Sequence, residues 1–475
     1  MISSLFKYAP VQVFSSLCLF ALIAVQTHFL SIEDYGILAI IMVFIEGVRA
    51  ISSQWLIVTL LRYYPASDIT EKANLVSTTS VMTLLLAIPA LITIFIALYV
   101  YEIFTVNILC SSSLLLLMKV AYMYRVELCR LNEDIDKYRK GVLVNSISSI
   151  VCSFLILYIW PSITSAIFSL ALSNLFALFF LKNELKTNFE IKTNFEIKTF
   201  KVIISYGLPI MISGGIIAIG SRLDRLFIGK FIGLEETGIY SAFSNTLMGI
   251  ISLVFMVISV PLYPELTKST NNKNELINKH QHYLDVLVAI TLPSLLGICF
   301  IAEPLIKVFL SQEYLNQGVE LFWILAVSVY VLNLKMHYID HGLQFLNKTK
   351  YFPFVALVSI LVNITLLSLT LRTLGVYGAA WIILISNTIG LILAMFIALY
   401  FGYRYRFGLN IAKVMLSCGL MLVALLLKEA FFQNLEPWID IIISVCLGFL
   451  VYSISMFILN ALKIKDFLTR IMVMR

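Results

Sequence analysis

The chain has 475 residues, of which 60% are apolar and 13% are charged, and its mean hydropathy is +0.95. A soluble fold cannot hide so much apolar surface, so the composition excludes a water-soluble enzyme or binding module and indicates a membrane protein. The net charge of +7 would suit a nucleic-acid partner, but the positions of the basic residues argue against one.

The apolar runs are continuous rather than alternating, which predicts membrane-spanning helices and not a barrel. A helix needs roughly 20 apolar residues to cross a bilayer. Fourteen runs meet this length, at 10–30, 36–57, 75–100, 103–128, 141–160, 163–181, 203–232, 238–262, 283–302, 318–340, 352–372, 376–401, 411–428 and 438–461. The first run lacks a small-residue cleavage site, so we expect a helix there and not a removable signal peptide.

Basic residues are concentrated in alternate loops. If the N-terminus with Lys7 is cytoplasmic, the loops predicted to lie outside carry only Lys230, Lys307, Arg372 and Lys428. This asymmetry predicts an even number of spans with both termini in the cytoplasm. It also accounts for the positive charge without a nucleic acid. The seven cysteines lie in or beside apolar runs without CxxC spacing, so neither disulfides, a metal site nor a cofactor is expected.

One motif occurs twice, 202 residues apart. The stretch "FLSIEDYGILA" at 29–39 matches "FIGLEETGIYS" at 231–241, pairing Gly36 with Gly238, and each copy is predicted to form an outside turn. Six spans separate the copies, so both have the same orientation, as in a parallel repeat about an axis along the membrane normal.

The repeat predicts an all-α polytopic fold of two six-helix lobes around a central cleft, with two additional C-terminal helices. The expected domains are an N-lobe at 1–183, a cytoplasmic linker at 184–202, a C-lobe at 203–402 and spans 13 and 14 at 403–475. The linker contains the tandem "KTNFEI" at 186–191 and 192–197. Such a cleft can open to either side by rocking of the lobes, which indicates a transporter working by alternating access.

Six charged residues lie deep in the predicted spans, where a charge facing lipid costs at least about 2.5–3.5 kcal/mol. They are Glu46 and Arg49 in span 2, Lys119 in span 4, and Arg222, Asp224 and Arg225 in span 7. Four are basic and two are acidic, so a cleft that they line favours an anion, and guanidinium groups bind phosphate in bidentate fashion. We predict that the four basic residues line a substrate cavity.

Alternatives remain for these residues. Glu46 and Arg49 are three residues apart on one helical face, so they could pair and only lock helices together. In span 7, Arg222 and Arg225 are predicted to share one helical face, and ion pairs within this cluster could likewise only lock helices together. Lys119 could extend toward the cytoplasmic surface. Polar residues within spans are candidate contacts for a substrate: Asn145, Asn174, Asn245, Asn363 and Asn387.

The end of span 10, "KMHYIDHG", holds Lys335, His337, Asp340 and His341. The last three share one helical face and could bind a metal or relay protons. Their depth favours a solvated interfacial end of the helix instead.

Several segments together resemble the Wzx-type O-antigen and polysaccharide flippases of the multidrug/oligosaccharidyl-lipid/polysaccharide exporter superfamily. These are "YGLPIMI" at 206–212, "DRLFIGKFIGLEETGIYSAF" at 224–243, "SQEYLNQG" at 311–318 and "LGVYGAAW" at 374–381. The resemblance covers essentially the whole chain. Spans 13 and 14 depart from the simplest twelve-helix pattern and are similar to those of the lipid II flippase branch.

The resemblance implies a substrate, a location and partners. The substrate would be an undecaprenyl-pyrophosphate-linked oligosaccharide, moved across a bacterial inner membrane and driven by a proton or sodium gradient. Asp224 would be an acid of the central cavity, and Glu46 and Asp224 would be the candidates for ion coupling. A polysaccharide polymerase and a chain-length regulator would be partners.

Two other classes compete with the flippase. A multidrug exporter of the same superfamily would carry organic cations and should have an acidic cleft. A membrane O-antigen polymerase or glycosyltransferase usually has a large outside loop with catalytic residues, whereas the longest outside loop here covers only 303–317. We therefore do not expect an enzyme.

Overall fold

The structure is a computed structural model that describes residues 2–182, 196–269, 272–406, 408–432 and 435–463. The described residues are almost entirely helical and contain no β-strand. The α-helices are α1 Ile2–Phe29, α2 Ile32–Arg49, α3 Trp55–Tyr63, α4 Ile69–Val100, α5 Val106–Leu131, α6 Ile135–Ile159, α7 Ile163–Lys182, α8 Ile197–Gly220, α9 Leu223–Phe231, α10 Leu234–Thr267, α11 Lys273–Phe300, α12 Ala302–Phe309, α13 Val319–Leu334, α14 Asp340–Phe345, α15 Phe352–Tyr400, α16 Leu409–Phe431 and α17 Pro437–Ile458.

Thirteen helical segments among these residues are long and apolar enough to cross a membrane. The longest, Thr349–Tyr400, contains predicted spans 11 and 12, which are separated where Gly375 adopts a φ of +61°. Glycine is the residue that tolerates this left-handed conformation without strain. One double segment and twelve single ones give fourteen crossings, so the predicted all-α, multi-pass membrane fold is confirmed.

The acidic residues of the repeated motif lie at helix N-termini. Ser31 precedes α2, and its hydroxyl accepts a hydrogen bond from the Asp34 amide at 3.1 Å. Glu33 and Asp34 occupy the first turn of α2, as Glu235 and Glu236 do in α10. Carboxylates stabilise this end of a helix because the aligned peptide dipoles leave it partly positive.

The described chain forms two compact units. The first unit comprises Lys7–Ala242 with Ile360–Ala379, and the second comprises the remaining segments, chiefly Phe243–Ser359 and the chain after Ala380. Helices α8 and α9 therefore pack within the first unit, whereas the predicted C-lobe began at residue 203. The division into repeat-related lobes stays a prediction, and most of the predicted linker, including nearly all of the tandem "KTNFEI", lies outside the described residues.

Each unit has its own apolar core. In the first unit, Trp55, Leu56 and Leu60 of α3 pack with Leu128 and Ile203. In the second unit, the rings of Phe243 and Phe322 meet edge to face with centroids 5.3 Å apart. The large apolar residues that remain exposed on α16 and α17 suit a lipid environment: Leu416, Leu420, Val423, Phe449 and Leu450.

Candidate substrate and ion-coupling site

Span 2 is not a regular α-helix. A five-residue π-helical turn, Ala50–Gln54, follows Arg49 directly and joins α2 to α3. The Ser53 hydroxyl donates to the carbonyl of Arg49 at 3.0 Å and so satisfies part of the irregular backbone. Such turns frequently occur at functional sites, because they change the direction in which neighbouring side chains point.

Helix α8 runs antiparallel along α2 and α3 at very short range. The closest approaches pair Gly47 with Ile219, Ile51 with Gly215, and Trp55 with Gly207. A Cβ atom on Gly215 would lie 2.7 Å from Cγ1 of Ile51, so only glycine allows this spacing. The pairing brings the C-terminal end of α8 level with Glu46.

Glu46 forms ion pairs with two basic side chains. Its carboxylate accepts from Nε of Arg49 at 2.9 Å and from Nζ of Lys119 on α5. The three side chains are only 12–20% exposed, and Nη2 of Arg49 also donates to Gln54 at 3.2 Å. The local pairing of Glu46 with Arg49 is therefore present, and Lys119 completes it. The cluster keeps one excess positive charge.

Predicted span 7 is divided into two helices. Helix α8 ends at Gly220 and α9 begins at Leu223, while Arg222 between them has non-helical angles of φ −136° and ψ 13°. A Cβ atom on Gly220 would lie 2.4 Å from Cδ1 of Ile360, so α15 packs closely at the break. The predicted common face of Arg222 and Arg225 on one helix is wrong, because Arg222 precedes α9.

Arg222 is half-buried, and its guanidinium forms neither a hydrogen bond nor an ion pair among the described residues, although its backbone amide donates to the carbonyl of Ile219 at 3.0 Å. Its charged neighbours are Arg225, Glu46, Asp224 and Arg49. Within the first unit, the structure thus brings the charges of spans 2 and 7 together. Lys119 joins them through Glu46.

Asp224 is buried on α9. Its Oδ2 accepts from the hydroxyl of Tyr240, a fully buried residue of α10, at 2.5 Å. Its other oxygen, Oδ1, is buried without a hydrogen-bond partner in the part of the chain that the structure describes. A buried carboxylate oxygen of this kind is costly unless a proton, an ion or water satisfies it.

Asn363 on α15 is a second buried group that lacks a partner. It is 3% exposed, and neither its Oδ1 nor its Nδ2 has a partner among the described residues. Ile360 lies against Gly220, and the Arg372 guanidinium lies 5.1 Å from the ring centroid of Phe231. Helix α15 therefore runs parallel to α8 and α9, and Asn363 is level with the start of α9.

The sequence marked Asn363 only as one polar residue among several in apolar runs. Asn145 instead contacts Asn174 at 3.3 Å, and Asn387 donates to the Ser328 hydroxyl at 3.0 Å. The position of Asn363 depends on the packing of α15 against the end of α8 at Gly220, which local sequence does not encode.

At the end of span 10, the predicted common face is interrupted by a second π-helical turn, Lys335–Ile339. Asp340 and His341 are 8% and 4% exposed, so the predicted solvated end is wrong for both. No group of three or more metal-ligating side chains was found among the described residues.

Comparison with solved structures defines the fold. The lipid II flippase MurJ, in an inward closed conformation, has 18% sequence identity and a TM-score of 0.76 over 95% of this chain and 98% of that chain. An inward-facing multidrug resistance MATE family transporter of the MOP superfamily has 12% identity and a TM-score of 0.58 over 84% and 95%. The MATE multidrug transporter DinF-BH has 15% identity and a TM-score of 0.57 over the same shares.

The chain therefore has the multi-pass membrane fold that MurJ and these MATE transporters share. A sequence comparison with curated proteins finds no match. A family model described as "Polysaccharide biosynthesis protein" matches residues 25–320, and the chain belongs to that family. The family and the fold both agree with the predicted resemblance to polysaccharide flippases.

Proposed function

We propose that the chain moves an undecaprenyl-pyrophosphate-linked oligosaccharide, an O-antigen or related repeat unit, across the bacterial inner membrane. Transport runs from the cytoplasmic to the periplasmic leaflet by alternating access, with both termini cytoplasmic. A polysaccharide polymerase and a chain-length regulator act with it, and no covalent step is catalysed. One observation carries the proposal: Arg222 is an intramembrane cation without a partner among the described residues, beside a cluster that already has excess positive charge.

The cluster has unused donors for a pyrophosphate. Arg49 commits Nε to Glu46 and Nη2 to Gln54, which leaves N–H groups free on the planar guanidinium. Arg222 has a complete set of donors, and guanidinium groups suit phosphate because two parallel N–H bonds match its oxygens. The glycan would remain in water and the polyprenyl chain in the lipid.

Asp224 is the acid that we assign to ion coupling. Its Oδ1 lacks a partner among the described residues, and Asp224 follows the break where α8 ends and its last carbonyls lack helical partners. A sodium ion, or a proton with a water molecule, would satisfy this carboxylate, and half-helix ends hold coupling ions in other transporters.

The likeness to MATE multidrug transporters makes an exporter of organic cations the second candidate. The charge around Arg222 disfavours it, because four basic residues face only two acids. A membrane polymerase or glycosyltransferase has less support, since the solved structures that share this fold are a flippase and multidrug transporters.

The proposal can be tested in proteoliposomes that contain a lipid-linked oligosaccharide with a fluorescent label. Quenching of the label from outside reports translocation. We expect Arg222→Gln to abolish translocation while insertion and folding persist. Arg372→Gln is the matched control, because Arg372 is an exposed arginine of the same unit. Normal translocation by Arg222→Gln would remove the anion-binding assignment.

In cells, depletion of the chain should leave lipid-linked repeat units on the cytoplasmic leaflet. Their accessibility to a periplasmic glycosidase distinguishes the leaflets. Accumulation of unpolymerised units on the periplasmic leaflet would indicate a polymerase instead.

A further inference from the structure

A second intramembrane ion pair lies in the second unit, outside the site described above. Nζ of Lys335 lies 2.9 Å from Oδ2 and 3.1 Å from Oδ1 of Asp340, and both side chains are less than one-fifth exposed. The two residues are five apart. At about 100° per residue, an α-helix would place them about 140° apart, so the π-helical turn Lys335–Ile339 is what aligns them.

Tyrosine hydroxyls from outside the span support this turn. Tyr283 of α11 donates to the carbonyl of His337 at 2.8 Å, and Tyr405 donates to the carbonyl of Ile339 at 2.6 Å. Burial raises the pKa of Tyr405, which lies outside the spans, so its hydroxyl stays protonated and can donate. The turn is therefore held by these two hydrogen bonds to its backbone and by the ion pair between Lys335, its first residue, and Asp340, the residue that follows it.

The other titratable groups around Asp340 already have aromatic or hydrogen-bonding contacts. His341 packs on the ring of Tyr263 with centroids 4.6 Å apart, and His337 stacks on Phe255 at 5.7 Å. The hydroxyl of Tyr403 lies 2.7 Å from Nδ1 of His280.

Tyr338 stacks on His280 with ring centroids 4.3 Å apart. Asp285, further along α11, accepts from Asn410 at 2.8 Å. Lys335 is the only ion-pair partner of Asp340 in the described part of the chain.

We propose that Asp340 is a proton-binding site of the transport cycle, separate from Asp224, and that its protonation releases Lys335 and opens the π-helical turn. The inference rests on the proposed transport function. A proton from the aqueous phase adds to a carboxylate oxygen, the ion pair breaks, and the pair gains one positive charge. Without the ion pair, nothing holds the side chains of Lys335 and Asp340 on one face of the helix, and the π-helical turn can relax to α-helical geometry.

Relaxation of the turn has a mechanical consequence. A π-helical turn holds one residue more than an α-helical turn. When it changes to α-helical hydrogen bonding, the helix that follows rotates by about 100° and shifts by about 1.5 Å. Helix α14 would then leave the aromatic contacts of His341, and Tyr405 would lose its carbonyl acceptor. Proton binding is thus converted into a rearrangement at the end of span 10.

The test uses the full chain in proteoliposomes and measures translocation against pH. We expect Asp340→Asn to remove a pH-dependent phase that the wild type has. Asp440→Asn is the matched control, because Asp440 also pairs with a buried lysine, Lys428, but without a π-helical turn. The control should keep the wild-type pH profile. A wild-type pH profile in Asp340→Asn would overturn the proposal. So would loss of the pH-dependent phase in His337→Gln or His341→Gln but not in Asp340→Asn.

A second variant keeps the proposal testable if Asp340→Asn does not fold. Lys335→Gln removes the cation, which makes the carboxylate easier to protonate, so the midpoint of the pH profile should rise by roughly one to three units. An unchanged midpoint would contradict the assignment.

An infrared titration of the Asp340 carboxyl band on purified protein reads proton binding without transport. If the wild type binds a proton at Asp340 but moves no lipid-linked glycan, the proposed function fails while this inference stands. If the wild type transports but the band does not titrate, the inference alone fails.

Discussion

Gly36 and Gly238, the matched glycines of the repeated motif, lie directly against each other's helices. A Cβ atom on Gly36 would lie 1.9 Å from the carbonyl oxygen of Leu234 and 2.9 Å from the amide nitrogen of Gly238. A Cβ atom on Gly238 would lie 2.0 Å from the carbonyl oxygen of Ile32. Ile32 and Leu234 are also matched residues, so the contact is reciprocal, as expected for two copies related by a two-fold axis.

This contact predicts that Gly36→Ala and Gly238→Ala each destabilise the protein. The added methyl group meets backbone, which cannot move as a side chain can, so we expect a loss of at least about 1–3 kcal/mol. Thermal unfolding of the purified protein measures it. The control is Gly249→Ala on α10, where a Cβ atom meets nothing within 4 Å. Stable Gly36→Ala and Gly238→Ala variants would show that the two helix ends are not this close.

Adjacent glycines on α8 allow a second comparison. Alanine at Gly215 meets Ile51 at 2.7 Å, whereas alanine at Gly214 meets nothing within 4 Å. Both substitutions gain about 0.8–1.0 kcal/mol of helix propensity, so any difference isolates packing against the π-helical turn. We expect Gly214→Ala to raise the unfolding temperature and Gly215→Ala to lower it. Equal shifts would contradict the antiparallel contact.

Glu46→Gln should destabilise the first unit, because Arg49 and Lys119 lose the carboxylate that they share. Removing one member of a buried ion pair costs up to about 3–5 kcal/mol, and partial exposure here reduces that cost. Adding Lys119→Met should recover part of the loss, since one unpaired cation is removed. A double-mutant cycle on unfolding temperature measures the coupling, and additive effects would mean that Lys119 and Glu46 do not interact.

Tyr240→Phe removes the hydroxyl that donates to Asp224. We expect a loss of about 1–3 kcal/mol at neutral pH, the cost of leaving a buried acceptor unsatisfied. Because the Asp224 carboxylate then has no donor on either oxygen, a bound sodium ion should stabilise the variant more than the wild type. Unfolding measured with and without added sodium tests this. Tyr99→Phe serves as control, since Tyr99 is 69% exposed, and an identical response in both variants would exclude the role of Tyr240.

Hydropathy and charge asymmetry were sufficient to predict the spans, because crossing a bilayer imposes length and composition on every helix. The repeated motif identified the N-terminal ends of α2 and α10, which contact each other in the structure. Local spacing also found the pairing of Glu46 with Arg49.

The remaining features depend on long-range packing. The break at Arg222 lies where Ile360 presses on Gly220, 140 positions away along the chain. The partner of Glu46 on α5 and the register of Asn363 likewise follow from how helices pack. Neither π-helical turn has a residue pattern that separates it from ordinary helix.

The ion pair between Lys119 and Glu46 joins residues 73 positions apart. During synthesis, span 2 therefore leaves the ribosome and meets the translocon before Lys119, the second ion-pair partner of Glu46, has been made. Until then, Arg49 is the basic residue that pairs with Glu46. We therefore expect span 2 to reach its final stability in the bilayer only when span 4 has been inserted. Nascent chains stalled before Lys119 should hold span 2 less firmly in the bilayer than chains stalled after it.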